Sequence, residues 1–289
     1  MISTDLMFDV TTASAIGEPV HIAATLHRPQ TDTPKSLVFA IHGGGYTRAY
    51  WNPPFADETY SFARFFTDRG HAVVAIDMLG MGESSRPEPE SRLSGAVIAA
   101  AHAAALEQAR DRIGAAVSVT GVGHSMGGMM VIAQAADHPA FDRVAVLGWA
   151  NEPMVLGDTD VATLQAGLIA SGYLATPRAP MRKLFYAADV PEALILADEA
   201  AGSPTPVTMG RDALTPGIVH AAAARIAVPV LVVQSMVDTS PAPEREPAYF
   251  SAAPSVDLQI VENAAHCQNF ASTRELHWQA LHDWVVRTT

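Results

Sequence analysis

Two rhythms of apolar residues run along this chain. Residues 37–41 and 72–76 are uninterrupted apolar runs, the pattern of strands buried on both faces of a parallel sheet. Residues 6–12 and 20–26 instead alternate apolar with polar and are parted by Gly17-Glu18-Pro19, which predicts an antiparallel opening pair. Further runs at 117–122, 144–149, 228–234 and 256–261 predict four more strands. Between them, residues 55–68 carry aromatic and apolar side chains at helical spacing and stop before Gly70, a helix with a glycine terminator. Residues 95–113 are rich in alanine with Glu107, Arg110 and Asp111 on a polar side, residues 126–136 are helix-like, and residues 273–286 form an amphipathic terminal helix. Strands alternating with helices predict an α/β protein with a doubly wound, mostly parallel sheet.

One stretch breaks the alternation. Residues 151–217 hold short helix-like pieces, prolines at 153, 177, 180, 191, 204, 206 and 216, and no convincing strand. They predict an insertion between two sheet strands, dividing the chain into a core of residues 1–150 and 218–289 and an inserted segment of residues 151–217. Such a segment would lie over the carboxyl edge of the sheet, where open α/β folds bind ligands. Its apolar members Met154, Leu156, Leu164, Leu168, Ile169, Tyr173, Leu174, Leu184, Phe185 and Tyr186 can line a pocket, although most of them are expected simply to attach the insertion to the sheet.

The strand expected at 117–122 leads into Gly123-His124-Ser125-Met126-Gly127 and then directly into a helix. A bare G-x-S-x-G arises by chance, but strand, turn and helix together make the context of a nucleophile elbow, which exposes the Ser125 hydroxyl on a sharp turn. A serine needs a base to become a nucleophile. His266, in the loop after the strand at 256–261, is the expected general base, favoured over His277 and His282 in the terminal helix. Asp238, four residues beyond the run ending at 234, is the expected carboxylate that orients the imidazole; Glu152 or Asp158, after Trp149, could supply it instead. The third signal is His42-Gly43-Gly44-Gly45 after the strand at 37–41. Its small residues leave backbone N–H groups open to a developing oxyanion, so Gly43 and Gly44 are expected donors, with Met126 N–H at the start of the elbow helix as the other.

In the order serine, acid, histidine, and in these strand-end positions, the chain resembles the α/β-hydrolase superfamily over nearly its full length. Asp77-Met78-Leu79-Gly80-Met81-Gly82-Glu83-Ser84 is similar to that family's D-x-x-G-x-G-x-S turn. The resemblance implies an eight-strand sheet, with residues 151–217 as a helical cap. It implies no substrate, since the fold hosts esterases, lipases, thioesterases, lactonases, C–C bond hydrolases, acyltransferases and peptidases. The expected activity is hydrolysis of a carboxylic ester or lactone of a small to medium hydrophobic substrate through an acyl-enzyme on Ser125. Hydrolysis of a carbon–carbon bond in a diketone-type substrate, acyl transfer and a non-catalytic ligand-binding role remain alternatives. His42 and His124 are expected to brace the site, Asp77 to hold its turn, and Cys267 to pack.

Composition narrows the partners. With 289 residues, 49% hydrophobic and 17% charged, the chain can bury a substantial core. A net charge of −12 with scattered basic residues offers no stripe for a phosphate backbone, so no nucleic-acid partner is expected. Cys267 is the one cysteine, which excludes an internal disulfide and a thiolate cluster. No metal-ligand spacing and no phosphate-binding glycine loop is present, so no metal and no nucleotide cofactor are expected. No apolar run reaches the roughly 18 residues of a membrane span, and residues 1–10 do not have a leader's pattern. A soluble cytoplasmic protein acting on a small molecule is the expectation; oligomeric state is left open, a homodimer included.

Overall fold

The computed structural model describes residues 1–30, 33–114, 117–168, 172–175 and 177–287. Its strands in chain order are β1 (Ile2–Asp9), β2 (His21–Arg28), β3 (Ser36–Ile41), β4 (Ala72–Ile76), β5 (Ser118–His124), β6 (Arg143–Leu147), β7 (Tyr173–Leu174), β8 (Thr205–Pro206), β9 (Val230–Val237) and β10 (Val256–Ala265). Eight of them form one sheet in the order β1-β2-β4-β3-β5-β6-β9-β10. β1 and β2 pair antiparallel, as do β2 and β4, and every later neighbour is parallel.

The uninterrupted apolar runs follow from burial on both faces. In β3, Leu37, Phe39 and Ile41 enter one core and Val38 and Ala40 the other; Val74 and Val73 of β4 divide in the same way. Against the first face pack α3 (Gly95–Ile113) and α4 (Met126–Asp137), with Ile98, Leu106, Met129 and Ile132 in the core. Against the second pack Phe62 and Phe66 of α2 (Phe62–Thr67) and Trp278 and Trp284 of α10 (Arg274–Arg287). Helices thus cover both faces, and α1 (Thr11–Ser14) is a single turn between β1 and β2. No described helix is long and apolar enough to cross a membrane.

Several boundaries differ from expectation for local reasons. β1 starts earlier and stops at Asp9, whose side chain accepts the Thr11 N–H at 2.9 Å and turns the chain into α1. The helix expected over residues 55–68 shrinks to α2, because two capping side chains interrupt it. Asp57 accepts Thr59 N–H and heads a 3-10 turn, and Ser61, extended at φ −87° and ψ 100°, accepts Arg64 N–H and restarts the helix. β9 and β10 run on to Val237 and Ala265, the latter across a register shift after Val261, so Asp238 and His266 each follow directly on a strand end.

Between β6 and β9 come α5 (Val161–Gly167), α6 (Arg182–Phe185), α7 (Glu192–Ala200), α8 (Val207–Ala213) and α9 (His220–Ala223). The expectation that residues 151–217 contain no strand is corrected by β7 and β8, a two-residue antiparallel ladder that joins Tyr173 to Pro206 and Leu174 to Thr205. A pairing this short leaves no periodicity to read.

Candidate active site

The turn from β5 into α4 is tight enough to admit only glycine on either side of Ser125. A Cβ at Gly123 would lie 2.1 Å from Gly127 O, and one at Gly127 would lie 2.3 Å from Ile41 O. Ser125 itself adopts φ 54° and ψ −122°, a backbone conformation that residues other than glycine rarely take. Its N–H donates to Leu147 O at 2.7 Å and its carbonyl accepts Gly128 N–H at 2.7 Å, which fixes the turn from both sides. The hydroxyl therefore projects from the strand end into a cavity of about 160 Å³.

His266 reaches the same cavity. Its Nδ1–H donates to Asp238 Oδ1 at 2.7 Å, with both side chains buried. A carboxylate only accepts, so the proton sits on Nδ1 and Nε2 keeps its lone pair. Asp238 is held in turn by Thr239 N–H on Oδ1 and Ser235 N–H on Oδ2, both at 2.8 Å, and by the Gln268 amide at 3.3 Å. The loop of His266 is gripped by the inserted segment, since His266 N–H donates to Leu184 O and Cys267 N–H to Phe185 O, each at 2.9 Å. Among the described residues no hydrogen bond joins Ser125 Oγ to His266; such contacts tighten when substrate fills a site.

The rival groups lie elsewhere. Glu152 accepts the Tyr249 hydroxyl at 3.0 Å and pairs with Arg245, and Asp158 is exposed. His277 is buried against Gln259, and His282 packs beside His71 with ring centroids 5.2 Å apart. His124 points away from the cavity: its Nε2–H donates to His266 O at 2.8 Å, and its ring stacks on Tyr50 at 4.6 Å. Burial, reinforced by the neighbouring His266, holds His124 well below the ordinary histidine pKa, so it serves as a neutral brace. Cys267 is buried with its thiol 3.0 Å from the Tyr46 hydroxyl, and burial pushes it up, which leaves no thiolate.

Gly44 and Gly45 of the His42–Gly45 turn also line the cavity. His42 Nδ1–H donates to Gly43 O at 2.8 Å while Nε2 accepts Met78 N–H at 3.1 Å, an arrangement that only the neutral ring satisfies; burial lowers its pKa in the same sense. Gly44 and Met126 line the cavity, and no described hydrogen bond uses their N–H groups. Gly43 is not on the cavity wall: it packs behind, where a Cβ would meet His124 Nδ1 at 3.0 Å and Ser125 Cβ at 3.2 Å. Gly45 lines the cavity but gives its N–H to Thr205 Oγ1 at 2.9 Å.

Asp77 closes the neighbouring turn by accepting Arg48 N–H at 2.6 Å and Glu83 N–H at 2.8 Å, and by pairing with the Arg48 guanidinium. The rest of the cavity is mostly apolar. Met154, Leu156, Leu164, Leu168, Leu174 and Phe185 line it, while Leu184 and Tyr186 are packed in the core and Ile169 lies outside the described residues. Arg178, Met181, Thr205, Leu214 and Thr239 also line it and were not legible as pocket residues, because they come from four separate short elements or turns scattered along the chain. Among the described residues no cluster of three His, Cys, Asp or Glu side chains is placed to hold a metal ion.

The model of the Alpha/beta hydrolase family matches residues 37–277 of this sequence, a span that takes in the elbow, both strand-end loops and the inserted segment. The chain belongs to the alpha/beta hydrolase family. Solved structures of similar fold include a putative aryl esterase from Burkholderia cenocepacia (TM-score 0.69, 17% identity, 99% of each chain covered). They also include a thermophilic esterase from Thermogutta terrifontis (TM-score 0.68, 15% identity, 99% of each chain) and a bromoperoxidase from Bacillus anthracis (TM-score 0.64, 19% identity, 99% of each chain). At these identities the likeness establishes the fold of the hydrolase and nothing of its substrate. No curated protein sequence matches it.

Proposed function

We propose that this hydrolase cleaves a carboxylic ester or lactone carrying a small to medium hydrophobic group, with Ser125 as nucleophile, His266 as base and acid, and Asp238 as its orienting carboxylate. The observation that carries the reading is the shared cavity. A half-buried serine on a strained elbow lines the same mostly apolar cavity as an imidazole whose far nitrogen is fixed by a buried carboxylate. In that geometry Ser125 Oγ attacks the carbonyl carbon as its proton passes to His266 Nε2. The oxyanion is met by the N–H groups of Gly44 and Met126, with Gly43 as the spacer that lets the turn approach. The imidazolium then protonates the departing alkoxide, and water, activated by the same Nε2, releases the acid and restores the serine.

Residues 151–217 act in this reading as a cap over the core of residues 1–150 and 218–289. A cavity of about 160 Å³ is close to the roughly 150 Å³ that holds a benzene molecule, so the buried group is about the size of an aromatic ring or a short acyl chain. Turnover of p-nitrophenyl esters of increasing acyl length tests the assignment. Short acyl esters are expected to react faster than long ones, and Ser125→Ala is expected to lose more than about a thousandfold in kcat. Equal turnover by the variant would rule out Ser125 as nucleophile. A wild type that binds these esters without cleaving them would favour a ligand-binding role, and cleavage of diketones alone would favour C–C bond hydrolysis.

A further inference from the structure

The oxyanion turn is held by two independent sets of contacts, and only one comes from the sheet. Tyr46 N–H donates to Gly43 O at 3.2 Å, closing a four-residue turn in which Gly45 takes φ +74°, a value glycine reaches without strain. His42 Nδ1–H donates to the same Gly43 carbonyl. The peptide is planar and trans, so holding Gly43 C=O sets the plane of the opposed Gly44 N–H, and Gly44 lines the cavity. These contacts come from the turn itself and from the end of β3.

The second set comes from the inserted segment and converges on Gly45. Thr205 Oγ1 accepts Gly45 N–H at 2.9 Å. Ser203 N–H donates to Gly45 O at 3.0 Å, and the Arg178 guanidinium donates to that carbonyl as well. Arg178 also lies over the Tyr46 ring, 3.7 Å from its centroid. Two of these groups are themselves anchored. Ser203 Oγ accepts Gly82 N–H at 2.9 Å, and Arg178 pairs at 2.7 Å with Asp198, which further accepts the hydroxyls of Tyr46 at 2.9 Å and Tyr186 at 2.5 Å. Arg178, Asp198 and Tyr46 are buried, so the cluster is shielded from water and geometrically stiff.

Resting on the acyl-hydrolase reading above, we propose that Thr205, Ser203 and Arg178 are positioning residues for the oxyanion donor. They hold both hydrogen-bonding groups of Gly45, and through the turn they keep Gly44 N–H aimed at the reacting carbonyl. The turn's own contacts set the direction of the Gly44 N–H, and the donor is held from both sides only while the segment carrying Arg178, Ser203 and Thr205 is docked on the core. The same docking fixes the loop of His266 through Leu184 and Phe185, so one event sets both sides of the site.

Thr205→Val tests this most cleanly, since valine keeps the shape of the cavity wall and removes only the acceptor; replacing Arg178 would strand a buried carboxylate. On p-nitrophenyl butyrate, Thr205→Val is expected to lower kcat on the order of tenfold to a hundredfold, with KM within about twofold and the thermal midpoint close to wild type. The rate of inactivation by a fluorophosphonate should fall in parallel, exchange at the Gly45 amide should rise, and Thr205→Ser should restore all three. Wild-type kcat in Thr205→Val would overturn the proposal, and a change in KM alone would make Thr205 a substrate contact and overturn it equally. A wild type that neither turns over the ester nor reacts with the fluorophosphonate overturns the acyl-hydrolase reading itself; a protected Gly45 amide in that case would show that the contacts exist without this purpose.

Discussion

Asp238 illustrates how much a single carboxylate does through what it touches. Four donors converge on its two oxygens: two backbone N–H groups, the Gln268 amide and His266 Nδ1–H. Only an acceptor fits that environment, and only one histidine tautomer leaves Nε2 free to take the serine proton. Asp238→Asn keeps the size but places an NH₂ among donors or turns the imidazole over, so kcat is expected to fall on the order of a thousandfold or more, with KM little changed. A loss under tenfold in steady-state kinetics would mean that another carboxylate orients the imidazole. The sequence favoured Asp238 for its place after a strand and kept Glu152 and Asp158 as rivals. The choice depends on where the strand ends: β9 carries Asp238 to His266, while Glu152 turns toward Tyr249 and Arg245.

At the scale of elements, the close approach of α4 to the end of β3 fixes where the serine stands. Gly127 has no room for a methyl group, since its Cβ would press on Ile41 O at 2.3 Å and His42 O at 2.5 Å. Gly127→Ala is expected to cost about 1–3 kcal/mol or more, read as a lower urea midpoint at unchanged slope, and to disturb the oxyanion turn that follows β3. A midpoint equal to wild type would show that α4 can shift without consequence. The elements that set this geometry were legible because β3, β4 and β6 are buried on both faces and are apolar apart from their first residues Ser36 and Arg143. What could not be read was short or locally capped. The Asp57 and Ser61 caps divide a helical pattern into two pieces, and β7 and β8 are each two residues long. The Gly45 contacts join residues 133 to 160 positions apart, a separation at which no local pattern survives.

Across the whole molecule, two effects of acid oppose one another. The protein carries a formal charge of −12 at pH 7 and a sequence pI near 5.3, so lowering the pH toward 5 relieves self-repulsion and would by itself stabilise the fold. Buried histidines act the other way. Burial lowers His102 to about 3 and His277 to about 4, and desolvation likewise takes His27 and His71 to about 4. An unfolded histidine titrates near 6.5. Between about pH 6.5 and 4 the unfolded chain therefore binds protons that the native state refuses, and stability falls as the pH falls. For fully buried groups such as His102 and His277 the loss at pH 5 is on the order of 2 kcal/mol each, and it is expected to exceed the relief of diffuse surface charge. The thermal midpoint is expected to drop between pH 7 and pH 5, where most carboxylates are still ionised. A midpoint that rises toward pH 5 would mean that net charge dominates and that these imidazoles accept protons in the native state.

The proposed chemistry needs one arrangement, a serine on a strained turn and an oriented imidazole on one cavity, and the direct way to test it is to let the serine declare its own reactivity. Intact and peptide mass spectrometry after fluorophosphonate treatment should find one adduct on the native protein, mapped to Ser125, and none on Ser125→Ala or on heat-denatured wild type. A native protein that takes no adduct, or takes it at another residue, would contradict the central claim.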